Sequence, residues 1–449
     1  MKSLAAVVLL GGLCGLPGCT QLIGADGVRE QAACVREDMR CDGPVRQRCD
    51  DQFTWVDIGA CNGKTPVCTR EQCLGVQMVA AGGAHTCAVL TDGSARCWGR
   101  NSTGQLGDDS ADENLPNRLT PTQVADDKKI VSLSLGGRDD DGFSCAVHED
   151  GSVACWGKNI FGELGGATTE TLSPKPLLVP GLADITAVAA GFFHACALHS
   201  DTTVSCWGTN VYGPATITGT KPSRVEGLTG VLELAAGGKH TCARTATEVL
   251  CWGWNDFGQC GQDVANGYIF PPQPVPGLAS TKRISAGYFH TCALTSSGQV
   301  RCWGSNQCGQ LGDGSYCGND CPNTAKCGSS SVVAPIEDLT AIDIGTGAHH
   351  TCIVEEDKNG RIYCWGRNDF GQVSATSGSI TGMGFPFVDV PVPTSVLHAV
   401  SLAVGPFHGC ALLDTGDVRC IGRNDYGQLG GGTTDSGSAV GVRWQDERR

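Results

Sequence analysis

No long stretch of this chain shows the three-to-four-residue apolar spacing of an amphipathic helix. Apolar residues fall instead in short runs closed by glycine, and from residue 76 one pattern recurs seven times. Each copy has an apolar strand ending in Gly, a His-Thr-Cys-Ala strand, a turn, a second Cys usually followed by Trp-Gly, and an Asn-x-x-Gly loop. The first copy reads AAGGAHTCAVLTDGSARCWGRNSTGQLG, and successive copies begin 46 to 60 residues apart. That period, with three or four strands per copy, predicts an all-β fold: a seven-bladed β-propeller over residues 76–449, whose ring leaves no open edges. Six copies are followed by a further strand, such as Ser223-Arg224-Val225 or Gln273-Pro274-Val275. Ala439 to Trp444 offers the same after the seventh and is expected to pair in the blade holding Cys87 and Cys97.

Composition agrees and adds a compartment. Glycine supplies 64 of 449 residues, about twice its usual share, as tight turns require. A formal net charge of -14 repels phosphate backbones, so no nucleic-acid partner is expected. At the N-terminus, Lys2 precedes the apolar run Leu4 to Leu13, which is too short to span a membrane as a mature helix. Leu16-Pro17-Gly18-Cys19 then resembles a bacterial lipoprotein cleavage box, with Pro17 an unusual residue in it. Residues 1–18 therefore read as a signal peptide and Cys19 as the lipid site, with an ordinary cleaved signal as the alternative. Either reading exports the chain. Thr20 rather than Asp after the cysteine favours the outer membrane.

Of 27 cysteines, Cys14 falls in the signal and Cys19 at its end; the other 25 would meet an oxidising compartment, where disulfides are the default. After a linker over 19–33, Cys34, Cys41, Cys49, Cys61, Cys68 and Cys73 mark a small module over 34–75. A segment that short cannot build a sufficient core, so bridges must hold it. Zinc is the alternative, disfavoured by the absence of histidine from the block. Each repeat contributes a pair: Cys87 and Cys97, Cys145 and Cys155, Cys196 and Cys206, Cys242 and Cys251, Cys292 and Cys302, Cys352 and Cys364, Cys410 and Cys420. In four copies a Gly just past the midpoint (Gly93, Gly151, Gly298, Gly416) fits a three-residue turn that sets the cysteines opposite each other, about 4.5 Å apart at Cα. Such pairs are bridgeable; small buried thiols are the alternative. Cys260, Cys308, Cys317, Cys321 and Cys327 remain, an odd number with no assignable pairing.

The repeats resemble those of the regulator of chromosome condensation family over nearly all of 76 to 444. The carriers are the His-Thr-x-Ala-Leu strand, the Asp-Gly or Ser-Gly turn, the Val-x-x-Trp-Gly strand and Asn-x-x-Gly-Gln-Leu-Gly. The Asn recurs in all seven copies, at Asn101, Asn159, Asn210, Asn255, Asn306, Asn368 and Asn424. Trp-Gly recurs in six, the seventh having Ile421-Gly422. The resemblance implies the seven-bladed propeller. It does not imply the family's best-known activity, nucleotide exchange on a nuclear GTPase, for an exported, acidic chain; protein binding is the nearer analogy.

Candidate chemistry is sparse. His85, His194, His240, His290, His350 and His408 precede the first cysteine by two, and a residue repeated on every blade answers a packing demand. Asp139, Asp140 and Asp141, and the run Asp108, Asp109, Asp112 and Glu113, lack the ordered spacing of a calcium loop and read as solvated acidic loops. No phosphate loop, nucleophile elbow or zinc-protease helix is present, so no catalytic residue, cofactor or metal is assigned and an enzyme is not expected. Strand order still marks a working face. Loops after the first and third strands emerge together and hold the insertions, Arg138 to Gly142 and Gly312 to Ser331. There Phe192, Phe193, Lys239, Tyr288, Phe289, His349 and Phe407 form a candidate face that would anchor a protein or stack on sugars, or simply pack between loops. The expectation is an envelope scaffold that binds a protein partner, with glycan binding or processing as the alternative.

Overall fold

The computed structural model describes residues 39–444 except 43–44, 51–53, 62–63, 69–71, 111–114, 139–140, 210–218, 264–266, 316–329, 375–379 and 382–385. The signal peptide and linker, Cys19, Cys34, Asp112, Glu113, Asp139, Asp140, Asn210, Cys317, Cys321 and Cys327 lie outside the described residues.

Each repeat folds as a four-stranded antiparallel blade. In blade 1 the strands are Val76–Ala81, His85–Leu90, Ala95–Gly99 and Arg118–Gln123, hydrogen-bonded in chain order. Blades 2 to 7 repeat this, blades 5 and 6 sharing the long strand Ser330–Thr346. Its first half pairs with Gln299–Gly304 and its second with His350–Glu355. The first strand of every blade lines a central tunnel of about 270 Å³. Its lining is small, including Ala81, Ala190, Ala236 and Ala286, because seven strands converge there. The fourth strands form the outer edge and carry proline, among them Pro121, Pro174, Pro222 and Pro271. Without an N–H, proline blunts an edge against further pairing.

The second and third strands form the hairpin that carries the cysteines. Gly93, with φ of 85°, turns blade 1 so that Cys87 faces Cys97, 4.1 Å apart at Cα and 2.04 Å at sulfur. The other six hairpins join the same two positions. In the N-terminal module Cys41 joins Cys68 and Cys61 joins Cys73, and Cys49 is disulfide-bonded too. Cys260 and Cys308 are buried thiols. Cys260 replaces the Leu of Gln-Leu-Gly and packs in the core with Trp303.

The recurring polar residues join neighbouring blades. Each His begins a second strand, and its Nε2 reaches the hydroxyl one position further on in the next blade: His85 to Ser144 (3.0 Å), His194 to Thr241 (2.8 Å), His240 to Thr291 (2.8 Å), His290 to Thr351 (2.9 Å) and His408 to Thr86 (2.8 Å). In four of these the hydroxyl donates to a backbone carbonyl of the preceding blade's loop, at Gln105, Gln259, Gln310 or Gln428. The hydroxyl oxygen is then left to accept, which fixes the proton on the histidine's Nε2. The same four carbonyls accept the indole N–H of Trp156, Trp303, Trp365 and Trp98. Histidine, Thr, Trp and the Gln loop are thus one device for holding a blade to its neighbour. The glycine before each His belongs to it as well, since a Cβ on Gly237 would stand 2.4 Å from the His240 ring.

Two junctions depart from the pattern. Between blades 2 and 3, Phe143 replaces His and Ala195 replaces Thr, and both lie in one apolar cluster. Between blades 6 and 7, Gly409 and Ile421 replace Thr and Trp, and neither ring nitrogen of buried His350 has a hydrogen-bond partner among the described residues.

Ring closure differs from the sequence expectation. The C-terminal strand Val440–Gly441 pairs with Val418–Gly422, placing Val440 opposite Cys420 within blade 7, not in the blade of Cys87 and Cys97. Blade 7 meets blade 1 through the same His408, Thr86, Gln428 and Trp98 contacts as other junctions, reinforced by an apolar wedge. Val67 and Leu74 from the module's two-stranded ribbon and Val440, Val442 and Trp444 from the C-terminus pack there with Trp98 and Val418. Burying that apolar surface replaces the ladder hydrogen bonds a shared strand would supply.

Candidate functional site at the tunnel mouth

Because His85 pairs with Gly99, and His290 with Gly304, the residues flanking the second and third strands emerge at one rim. Three repeat positions populate it. Before the His come Phe193, Lys239, Phe289, His349 and Phe407; after Trp-Gly or Ile-Gly come Arg100, Lys158, Trp254, Arg367 and Arg423; two after the Asn come Phe161, Phe257, Phe370 and Tyr426. Insertion 316–329 lies outside the described residues; Ser330, which follows it, pairs with Gly304.

The seven residues singled out from the sequence are brought to this mouth, where they also pack on one another. Tyr288 and Phe407 are buried with Ala348, and Phe192 and Phe289 pack against them. Phe192 of blade 3 contacts Tyr288 of blade 5, reaching past blade 4, where Gly238 leaves room for it. Tyr288, Phe289 and His349 follow at ring separations of 5.4 to 5.8 Å. Phe192 and Tyr288 also border the tunnel, so this cluster is its aromatic roof.

Rings outside the sequence selection extend the roof. Trp254 packs edge-on and Phe257 tilted against Phe289 at 5.2 and 5.1 Å, and Phe161 meets Phe193 edge-on at 5.1 Å as Phe370 meets Phe407 at 5.7 Å. For Phe161, Phe257 and Phe370 the signal was the Asn-x-Phe/Tyr-Gly spacing, visible in copies 2, 3, 4, 6 and 7. Cations sit over these faces: Lys239 over Trp254 at 5.0 Å, Lys158 over Phe161 at 5.3 Å, and Arg423 over Phe370 at 5.1 Å. Lys158 also pairs with Asp141, Arg367 with Asp369 and Arg423 with Asp425.

Burial shifts the histidines and Glu163 under the roof toward their neutral forms. Burial lowers His85, His240 and His350 to about 3, and His194, His349 and His408 to about 4. Glu163, at the Gln position of blade 2, is pushed up by burial to about 7. Its Oε2 accepts the Phe161 amide as the Gln side chains do in other blades. Of the proposed acidic loops, Asp108 pairs with Arg118 at 2.7 Å. Among the described residues no group of three or more His, Cys, Asp and Glu could hold a metal.

Residues 57–334 match the RCC1-like domain, and 341–372 and 399–428 match the regulator of chromosome condensation (RCC1) repeat. The chain belongs to the RCC1-like family. It is similar to the ultraviolet-B receptor UVR8 of Arabidopsis thaliana, 29% identical over 366 residues, 79% of this chain and 78% of that protein. It is also similar to the secretion-regulating guanine nucleotide exchange factor of Mus musculus, 28% identical over 378 residues, 77% of this chain and 78% of that one. Yeast RCC1 (Prp20) bound to Kap60 matches with a TM-score of 0.66 at 23% identity, covering 83% of this chain and 84% of that one. The Saccharomyces cerevisiae Prp20p structure described with its binding properties to Gsp1p and histones also scores 0.66, at 22% identity over 83% and 88%. These structural likenesses establish the RCC1-like propeller fold and leave the use of its rim open.

Proposed function

We propose that this RCC1-like propeller is an exported, lipid-anchored scaffold that captures a protein partner on the aromatic rim over its tunnel. The observation that carries the reading is the roof itself. Aromatic rings, several under cations, converge from six blades in the composition of an interface centre: rigid rings with large contact area and few rotamers to freeze. The yeast relative solved with Kap60 supports protein binding as a use of this fold. The lipoprotein-like segment at Cys19 and a disulfide in every hairpin support export.

The test is capture of envelope proteins by the purified mature chain, compared with a F193A/F289A variant whose melting temperature is measured alongside. Loss of a captured protein with the fold intact supports the rim. Undiminished capture moves the site elsewhere, and binding only to a polysaccharide panel replaces the partner class with glycan. Cys19→Ser should shift the protein from the membrane to the soluble fraction; an unchanged membrane fraction would remove the anchor.

A further inference from the structure

We infer that the junction between blades 3 and 4 carries a subsite for one main-chain amide carbonyl of a protein partner; this rests on the rim being the partner surface. Four junctions place a hydroxyl and an indole N–H on a single loop carbonyl, that of Gln105, Gln259, Gln310 or Gln428. The junction of blades 3 and 4 keeps both donors, Thr241 and Trp252, yet neither has a carbonyl acceptor among the described residues. Copy 3 also departs in sequence, with Pro214 where the other six have Gln or Glu. Thr241 is 2% exposed and Trp252 3%. Both line a cavity of about 20 Å³, together with His194 and the rim residue Lys239.

The donors select the occupant. At the other four junctions the oxygen held between hydroxyl and indole is a neutral amide carbonyl, and two neutral donors do not offset the desolvation of an ionised carboxylate. About 10–15 Å³ is enough for one water, so the cavity admits a single oxygen and not a whole side chain. An oxygen there accepts from Thr241 Oγ and Trp252 Nε1, while Thr241 accepts from His194 Nε2, 2.8 Å away, which completes the arrangement of the other four. Because Lys239 belongs to both the cavity and the rim, a main chain lying on the rim reaches the cavity with its own carbonyl. A ligand with no acceptor at this point leaves the buried indole donor unpaired, which gives the subsite its selectivity.

The probes are formamide and formate, alike in shape and different in charge, titrated by NMR into the disulfide-intact mature chain carrying isotope-labelled tryptophan. The Trp252 indole N–H, identified by its loss in W252F, should move downfield and saturate with formamide in the millimolar range open to so small a ligand. The Trp303 indole, already bonded to the Gln259 carbonyl, should stay still. Formate at matched ionic strength should bind about tenfold more weakly or worse. T241V should weaken formamide about fivefold, the loss of one neutral hydrogen bond, and T241S should restore it. If T241V fails to fold, the contrast between Trp252 and Trp303 in the unaltered chain still decides. An unmoved Trp252 resonance, the result if the chain's own loop supplies the acceptor, would overturn the subsite. So would equal shifts at Trp303, unchanged affinity in folded T241V, or tighter binding of formate. If Trp252 does not respond while F193A/F289A still abolishes protein capture, the rim reading survives and the subsite does not. If Trp252 responds while F193A/F289A captures undiminished, the amide site stands and its partner on the rim falls.

Discussion

The blade junctions invite a double-mutant cycle at His240 and Thr291. In Thr291→Ala, His240 keeps a buried Nε2–H with no acceptor, and the Gln259 carbonyl keeps the Trp303 indole but loses its second donor. An unsatisfied buried donor plus a missing methyl group should cost about 2 kcal/mol, within the range of roughly 1–3 for such groups. His240→Phe alone leaves Thr291 bonded to the Gln259 carbonyl and should cost about 1 kcal/mol. The double variant recreates the pairing present between blades 2 and 3, where Phe143 and Ala195 occupy these positions with no polar atom to satisfy. Replacing both partners by apolar groups of similar shape is close to neutral, so the double variant should recover at least about 1 kcal/mol relative to the summed single costs. Urea unfolding of the disulfide-intact protein, followed by tryptophan fluorescence, reads this directly, because Trp303 sits at the junction. Strict additivity would refute the pairwise account and reduce the histidines to space fillers.

Three further outcomes follow from the same contacts. Histidines lowered to about 3 or 4 in the fold and near 6.5 when unfolded stabilise it fully above pH 6.5, and that stability drains away as pH falls from 6.5 toward 3. At about 1.4 kcal/mol per pH unit each, those five should remove roughly 10 kcal/mol by pH 5, so a melting temperature unchanged between pH 7 and pH 5 would contradict their burial as neutral imidazoles. Gly409→Thr supplies the hydroxyl His350 lacks, and a Cβ there meets nothing nearer than 3.7 Å, so the urea midpoint should rise by the equivalent of about 1 kcal/mol; a lower midpoint would sink the idea. Truncation after Gly437 removes Val440, Val442 and Trp444 from the closure wedge and should lower the melting temperature. An unchanged value would show that closure depends only on the His408, Thr86 and Trp98 contacts.

The blade architecture was legible because its determinants repeat: the cysteine pair and the Asn recur in all seven copies, a strand begun by His in six, and a hairpin glycine such as Gly93 or Gly298 in four. What the repeated residues do was less legible, since His240 and Thr291 are 51 residues apart and their contact exists only across a blade boundary. The exchange of His and Thr for Phe143 and Ala195 looks like two unrelated lapses along the chain; in space it is one substitution of a polar pair by an apolar one. The closure strand was misplaced for a similar reason. An apolar hexamer such as Ala439 to Trp444 announces a strand but not its neighbour, and the decisive partners, Val67 and Leu74, belong to a module read as separate. At the rim, attention to the residue before His found Phe193, Phe289 and Phe407, whereas Phe161, Phe257, Phe370 and Tyr426 kept an equally regular spacing after Asn.

Placement of the rim relative to the junctions explains how one scaffold tolerates a changing surface. His85 and Trp98 lie inside the junction, and Arg100, two residues beyond Trp98, lies outside it on the mouth. A substitution at an outer position alters the roof without disturbing the hydroxyl, indole and carbonyl that hold two blades together, so the two kinds of position vary independently. Blade 7 is the informative departure. It lacks the Thr and Trp that would bind it to blade 6, yet Arg423 and Phe370 stack across that junction and Tyr426 and Arg100 stack across the next. Where the buried device is incomplete and where the ring closes without a shared strand, contacts between cations and rings at the surface therefore also join the two blades.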